Sequence, residues 1–294
     1  MRLLFDKVAT ALITPFDENG VNFLQFFELI DRQISSGVEA LVFLGTTGEP
    51  STMTDVEKCE VVRRCVKHVD KRAVCIIGAG YNDTKKAIAF SAFCQNFGAD
   101  GLLCVSPYYN KCTDNGLYKY YHDICSCTSL PVIAYNVPKR TGVDIPISVL
   151  ERLSYLPNMA GVKEASGNVQ KVVHLIARLK GKMPVYCGDD LLIPPFLSLG
   201  ASGTVSVLSN VCPKEVLLLH ELYLEGNLLA FEKLFYDLYP LIKALFLEVN
   251  PIPCKKALQF LGYDVGIPRL PLTEMESQNA EILRGALKEL RLVN

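Results

Sequence analysis

Eight short runs of β-forming and aliphatic residues recur about every 25 to 30 residues, each followed by a longer stretch of helical character. The runs are Val8 to Ile13, Ala40 to Leu44, Ala73 to Gly78, Gly101 to Val105, Val132 to Tyr135, Met159 to Lys163, Val185 to Cys187 and Gly203 to Val207. Such an alternation is the pattern of repeated βα units on a parallel sheet, and eight of them close into a (β/α)8 TIM barrel, an α/β fold. Three of the runs are introduced by related turns: Ser36-Gly37-Val38-Glu39-Ala40, Phe97-Gly98-Ala99-Asp100-Gly101 and Leu199-Gly200-Ala201-Ser202-Gly203. In each the glycine is expected to end a helix in the left-handed conformation before the chain re-enters the sheet. A doubly wound open sheet is the alternative, but no Gly-x-Gly-x-x-Gly follows the first run.

At 294 residues the chain suits one barrel of about 220 to 250 residues with an appendage. After about residue 225 the pattern turns wholly helical, with apolar spacing from Leu228 to Leu247 and from Ile282 to Leu292. Asn250-Pro251-Ile252-Pro253 separates the two as a rigid turn, with Pro253 at or just before a helix start. The expected organisation is a catalytic barrel over residues 1–225 and a C-terminal α-helical extension over residues 226–294.

Charge excludes some functions. Thirty basic residues face thirty-one acidic ones, with no basic stripe or polybasic run, so neither nucleic acid nor a membrane surface is an expected partner. The eleven cysteines are odd in number, and Cys75, Cys94, Cys104 and Cys187 sit inside apolar runs, where they read as small buried hydrophobes in a reducing compartment. Cys125-Ser126-Cys127 has no second pair or histidine at ligand spacing, so no metal is expected. The apolar part of the N-terminal segment Met1 to Lys7 is too short for a signal peptide, and no window approaches a membrane span; a cytoplasmic protein is expected.

In a barrel of this kind the functional residues lie at the C-terminal ends of the strands. There Lys163 closes the run Met159-Ala160-Gly161-Val162. A strand buried on both faces must pair, neutralise or use an ammonium; burial disfavours the charged form of an amine, and a neutral amine attacks ketones to form a Schiff base. The competing reading is a lysine whose head snorkels to water at the strand's exit. Thr46 and Thr47, within Gly45-Thr46-Thr47-Gly48-Glu49, suit an anion, since two hydroxyls and several backbone N–H groups can converge; the same segment also reads as a helix cap.

Tyr109 and Tyr135 bring phenols able to relay protons, or are packed aromatics. Arg140, between Pro138 and Gly142, can clamp a carboxylate or simply stand in water. Asp189 and Asp190 read better as a capped helix start than as a cation site. Together these groups suit carbonyl chemistry on a small anionic substrate.

The motifs Gly45-Thr46-Thr47-Gly48-Glu49, Pro107-Tyr108-Tyr109-Asn110, Tyr135 to Gly142, Val162-Lys163-Glu164-Ala165 and Asn250-Pro251-Ile252-Pro253 occur in order over essentially the whole chain. As a set they resemble the dihydrodipicolinate synthase family, within the N-acetylneuraminate lyase and class I aldolase group. The resemblance implies a Schiff base between Lys163 and pyruvate, then condensation with L-aspartate 4-semialdehyde in lysine and diaminopimelate biosynthesis, with no metal and no organic cofactor. It implies Tyr135 as proton donor and acceptor, Thr46 and Tyr109 completing a relay, Thr47 on the pyruvate carboxylate, Arg140 on the semialdehyde carboxylate, and main-chain contacts from Gly188 and Val205. It also implies a homo-oligomer, a dimer or a dimer of dimers, in which the tyrosine matching Tyr109 reaches into the neighbouring subunit's site.

Lysine-inhibited members carry a histidine and a glutamate in an effector pocket where this chain has Lys58 and Lys86, near Ser51, Asn82 and Tyr108. Two ammonium groups there imply weak or absent feedback by lysine. Lys139 stands where a serine is usual. The rivals are a lyase such as N-acetylneuraminate lyase, a keto-deoxy sugar-acid aldolase, and a barrel that binds pyruvate without catalysis. The second threonine of Gly45-Thr46-Thr47-Gly48 and the presence of Arg140 favour the synthase.

Overall fold

The structure, a computed structural model, describes residues 3–294; the reading of the N-terminal segment rests partly on Met1 and Arg2, which lie outside the described residues. Eight strands, Val8–Ala11, Ala40–Phe43, Val74–Gly78, Gly101–Val105, Val132–Asn136, Met159–Glu164, Val185–Cys187 and Gly203–Ser206, form one closed barrel in chain order. All register-matched neighbours among them are parallel, as in Tyr135 opposite Lys163 and Lys163 opposite Tyr186. Both faces of such strands are covered, which is why they read as unbroken apolar runs: every residue of Val8–Ala11 and Ala40–Phe43 is buried.

Three strands stop short of their sequence-based ends for local reasons. Ile13 gives its N–H to the Asn210 side chain at 3.2 Å, Leu44 turns to φ 54°, and Val207 already has helical dihedrals. The three turn glycines behave as the sequence implies: Gly37, Gly98 and Gly200 have φ of 91°, 82° and 92°, where a Cβ would clash with the chain's own carbonyl. A small hairpin, Phe16–Asp17 with Gly20–Val21, was not anticipated, although Asn19-Gly20 is a hairpin signal. Its turn is closed by Asn19 donating its N–H to Asp17 Oδ1 at 2.8 Å.

Compactness divides the chain into two units, Met1–Lys7 with Val74–Val205, and Val8–Ala73 with Ser206–Asn294. In the first unit, helix Val169–Leu179 is set by Asn168, whose side chain accepts from the Lys171 N–H at 3.0 Å, and buries Val172, Leu175 and Leu179 along one stripe. In the second, helix Asp55–Val69 opens with a reciprocal capping box between Thr54 and Glu57.

The tail falls in the second unit and holds helices Leu228–Ala244, Ile252–Phe260 and Ser277–Glu289. Pro251 caps the middle helix and Pro253 is its second residue, where a missing N–H costs nothing. Among the described residues no helix is long and apolar enough to cross a membrane. All eleven cysteines are free, and Cys75, Cys94, Cys104 and Cys187 are buried; burial raises the Cys104 and Cys187 thiols well above the usual range.

Candidate active site

Side chains alternate across a strand, so Lys163 and Glu164, adjacent in sequence, leave the sixth barrel strand on opposite faces. Lys163 is 6% exposed, so its head does not snorkel into bulk water. Its Nζ lies 4.4 Å from the centre of the Tyr135 ring, on the neighbouring strand and in register with it. Such a contact is worth about 1 kcal/mol. Among the described residues the Lys163 ammonium has no ion pair, although the chain holds thirty-one acidic side chains.

Two glycines, Gly188 beside the lysine and Gly161 on its own strand, sit where a Cβ has no room. A Cβ on Gly188 would stand 2.9 Å from Lys163 Cε and 2.8 Å from Ala165 Cβ, so any larger residue would push the amine aside. A Cβ on Gly161 would meet the Tyr186 ring at 2.7 Å. That ring stacks on Phe5 at 4.3 Å and its hydroxyl donates to Phe5 O at 3.2 Å. Val205, 2% exposed, follows the paired residues Gly203 and Thr204 of the eighth strand.

Beyond Tyr135, 6% exposed, the strand runs through Asn136 into the short helix Pro138–Thr141, which carries Lys139 and Arg140 on its exposed side. Tyr109 is 91% exposed with φ 71°, and the Asn110 N–H donates back to Tyr108 O at 2.9 Å. This is a γ-turn of the strained kind, rare for a residue with a side chain, and it throws the phenol outward. Asn110 Nδ2 donates to Asn82 O at 2.9 Å and fixes the turn.

In the second unit, Thr46 and Thr47 start a single 3-10 turn, Thr46–Gly48, rather than capping an α-helix. The first N–H groups of such a turn have no acceptor within it and can meet an anion. Left-handed Leu44 and Glu49, φ 54° and 55°, bracket the turn, each at a cost of about 1 kcal/mol or more. Three contacts from the helical tail hold it. Asn250 Nδ2 donates to Thr47 Oγ1 at 2.9 Å, the Arg269 N–H donates to Glu49 Oε2 at 2.9 Å, and Lys255 pairs with Glu49 at 2.6 Å. The tail's part in shaping this turn was missed in the sequence, where Asn250 read only as part of a rigid turn.

The residues matching the effector pocket are placed as follows: Lys58 is buried and pairs with Asp55 at 3.3 Å, Asn82 and Tyr108 are half-buried, and Ser51 and Lys86 are exposed. Asp189 caps a 3-10 turn by accepting from the Leu191 N–H at 3.1 Å. No group of three or more His, Cys, Asp or Glu among the described residues is disposed around a metal position.

Fold and site define a class: a parallel (β/α)8 barrel with a buried, carboxylate-free lysine at a strand's C-terminal end, the architecture of a Schiff-base lyase. The sequence model of the Dihydrodipicolinate synthetase family matches residues 4–290, and the chain belongs to that family. It is 46% identical over 285 residues, 97% of this chain and 96% of the relative, to a 4-hydroxy-tetrahydrodipicolinate synthase of Caldicellulosiruptor bescii. Among solved structures it resembles the dihydrodipicolinate synthase of Aquifex aeolicus, at TM-score 0.96 and 39% identity over 98% of this chain and 99% of that one. It also resembles the chloride-inhibited enzyme of Acinetobacter baumannii, complexed with pyruvate, at TM-score 0.95 and 38% identity over 98% of this chain and 100% of that one.

Proposed function

We propose that this chain is a 4-hydroxy-tetrahydrodipicolinate synthase that condenses pyruvate with L-aspartate 4-semialdehyde through a Schiff base on Lys163. The observation that carries the reading is a buried amine without a carboxylate partner, beside a phenol, in a chain of this family. The amine adds to the pyruvate ketone and water leaves, giving an imine. Loss of a methyl proton then gives an enamine, whose carbon attacks the semialdehyde carbonyl. The substrate's own amine next displaces Lys163 as the ring closes, which frees the enzyme.

Tyr135 is the proton donor and acceptor, its ring lying beside the amine. Thr46 and Tyr109 complete the relay, Thr47 and its turn hold the pyruvate carboxylate, and Arg140 holds the second carboxylate. Gly188 and Val205 serve through their main chains. Outward-thrown Tyr109 serves a neighbouring copy, so the working form is at least a dimer, and two dimers form a tetramer. The enzyme works in the cytoplasm. With Lys58 and Lys86 at the effector positions, lysine feedback is weak, so millimolar lysine leaves the rate nearly unchanged; strong inhibition overturns that part. The function is tested by a coupled assay comparing aspartate semialdehyde with N-acetylneuraminate and keto-deoxy sugar acids, each with pyruvate where needed. Turnover with a sugar acid in preference to the semialdehyde would assign the chain to a rival lyase.

A further inference from the structure

Glu164 is fully buried on the face of the sixth strand away from Lys163, where a lone carboxylate would cost several kcal/mol. It is instead satisfied at both oxygens. The Ser166 N–H donates to Oε1 at 2.7 Å, Asn136 Nδ2 donates to Oε2 at 2.8 Å, and Lys171 Nζ stands 3.8 Å from Oε2.

Asn136, also fully buried, spends its whole side chain in the same place. Its second Nδ2 proton goes to Asp144 Oδ1 at 2.8 Å, and its Oδ1 accepts from the Ile145 N–H at 2.9 Å. Lys171 closes the cluster by binding Asp144 Oδ1 and donating to Ile145 O at 2.9 Å. Only an amide can donate to two carboxylates and accept from a backbone N–H at once.

The cluster joins the two ends of one excursion of the chain. The arm leaves the sheet at Asn136, carries Lys139 and Arg140, and returns at Asp144 and Ile145. Its other anchor is the segment directly after Lys163, since the Ala165 N–H donates to Asn136 O at 2.9 Å. Lys139 Nζ, 3.5 Å from where a Gly167 Cβ would stand, crosses the same segment. Glu164 and Asn136 are fully buried while the Asp144 side chain is half in water, and an ion cluster that ends at the surface is a weak source of stability. Its use is geometric.

We propose that Asn136, Glu164, Lys171 and Asp144 form a positioning clamp that fixes both ends of the Arg140 arm, and thereby sets binding of the second, carboxylate-bearing substrate without taking part in adduct formation on Lys163. The proposal rests on the function proposed above.

The test uses the full-length enzyme with Asn136→Asp, Lys171→Met and Lys171→Arg, reading two constants for each. One is KM for L-aspartate 4-semialdehyde, and the other is the pyruvate concentration that half-saturates borohydride trapping on Lys163. Asn136→Asp places a third carboxylate against two others, and Lys171→Met leaves two carboxylates without their cation. Both are expected to raise KM for the semialdehyde about tenfold or more while shifting pyruvate trapping less than about threefold, and Lys171→Arg restores most of the loss. If buried Asn136→Asp does not fold, the Lys171 pair carries the same comparison. An unchanged KM in folded variants, or parallel shifts in both constants, overturns the clamp. Failure of the unsubstituted enzyme to trap pyruvate overturns the functional reading instead.

Discussion

Lys163 and Lys255 are both taken out of water, at 6% and 1% exposure, and each lies over an aromatic ring, Tyr135 at 4.4 Å and Phe16 at 4.2 Å. They differ in the third neighbour. Lys255 meets Glu49 at 2.6 Å, while Lys163 meets no carboxylate among the described residues. Burial lowers the Lys255 pKa, and the Glu49 carboxylate opposes that shift. Lys255 therefore acts as a strut that fixes the left-handed Glu49 and with it the Thr46–Gly48 turn. In the function proposed above, the matching position at Lys163 takes the reactant.

The largest effect is expected from Lys163→Met. Turnover should fall by roughly 10⁴-fold or more, while Tm stays within a few degrees because no ion pair is lost. A large drop in Tm would show that Lys163 is a strut after all. Lys255→Met should instead show its main effect in stability. Leaving Glu49 buried and unpaired costs about 3 to 5 kcal/mol in a denaturation measurement, and adding Glu49→Gln should return part of it. Equal stability of Lys255→Met and the parent would erase the distinction from the other side.

A smaller loss is expected from Tyr109→Phe, which keeps the ring and removes the hydroxyl: turnover down by about 10²-fold with the melting curve unchanged. Unchanged turnover would remove Tyr109 from the relay.

The smallest effect concerns the partner of the tail's other cation. Glu57 accepts from Arg269 at 3.0 and 2.6 Å, and that bonding, together with the Thr54 cap, lowers its pKa to about 2 from 4.5. Because the folded value lies below the unfolded one, the stabilisation is fully present above pH 4.5 and is lost as pH falls toward about 2. The pair is partly in water, so the contribution is about 1 kcal/mol at most. Glu57→Gln should flatten stability in that window and leave turnover at neutral pH unaltered, read by denaturation at pH 7 and near pH 3.

Much of this was legible because parallel barrel strands announce themselves. The continuous apolar runs at Ala40 and Gly101 and the left-handed glycines at 37, 98 and 200 are local signals with one physical meaning each. Lys163 stood out for the same reason, as a charge inside such a run. What stayed hidden is long-range. Nothing near Glu49 in sequence says that Lys255 will neutralise it, and nothing near Asn136 says that its amide will join Asp144 to Glu164. Glu164 read as one letter of a motif because strand alternation, which sends it away from Lys163, says nothing of what waits on the other face.

The most direct test of the central claim is to reduce the enzyme with borohydride in the presence of pyruvate and map the added mass by peptide sequencing. The account predicts a single pyruvate-derived adduct on Lys163 and none on Lys255. No adduct, or one distributed over lysines without regard to their counter-ions, would contradict it.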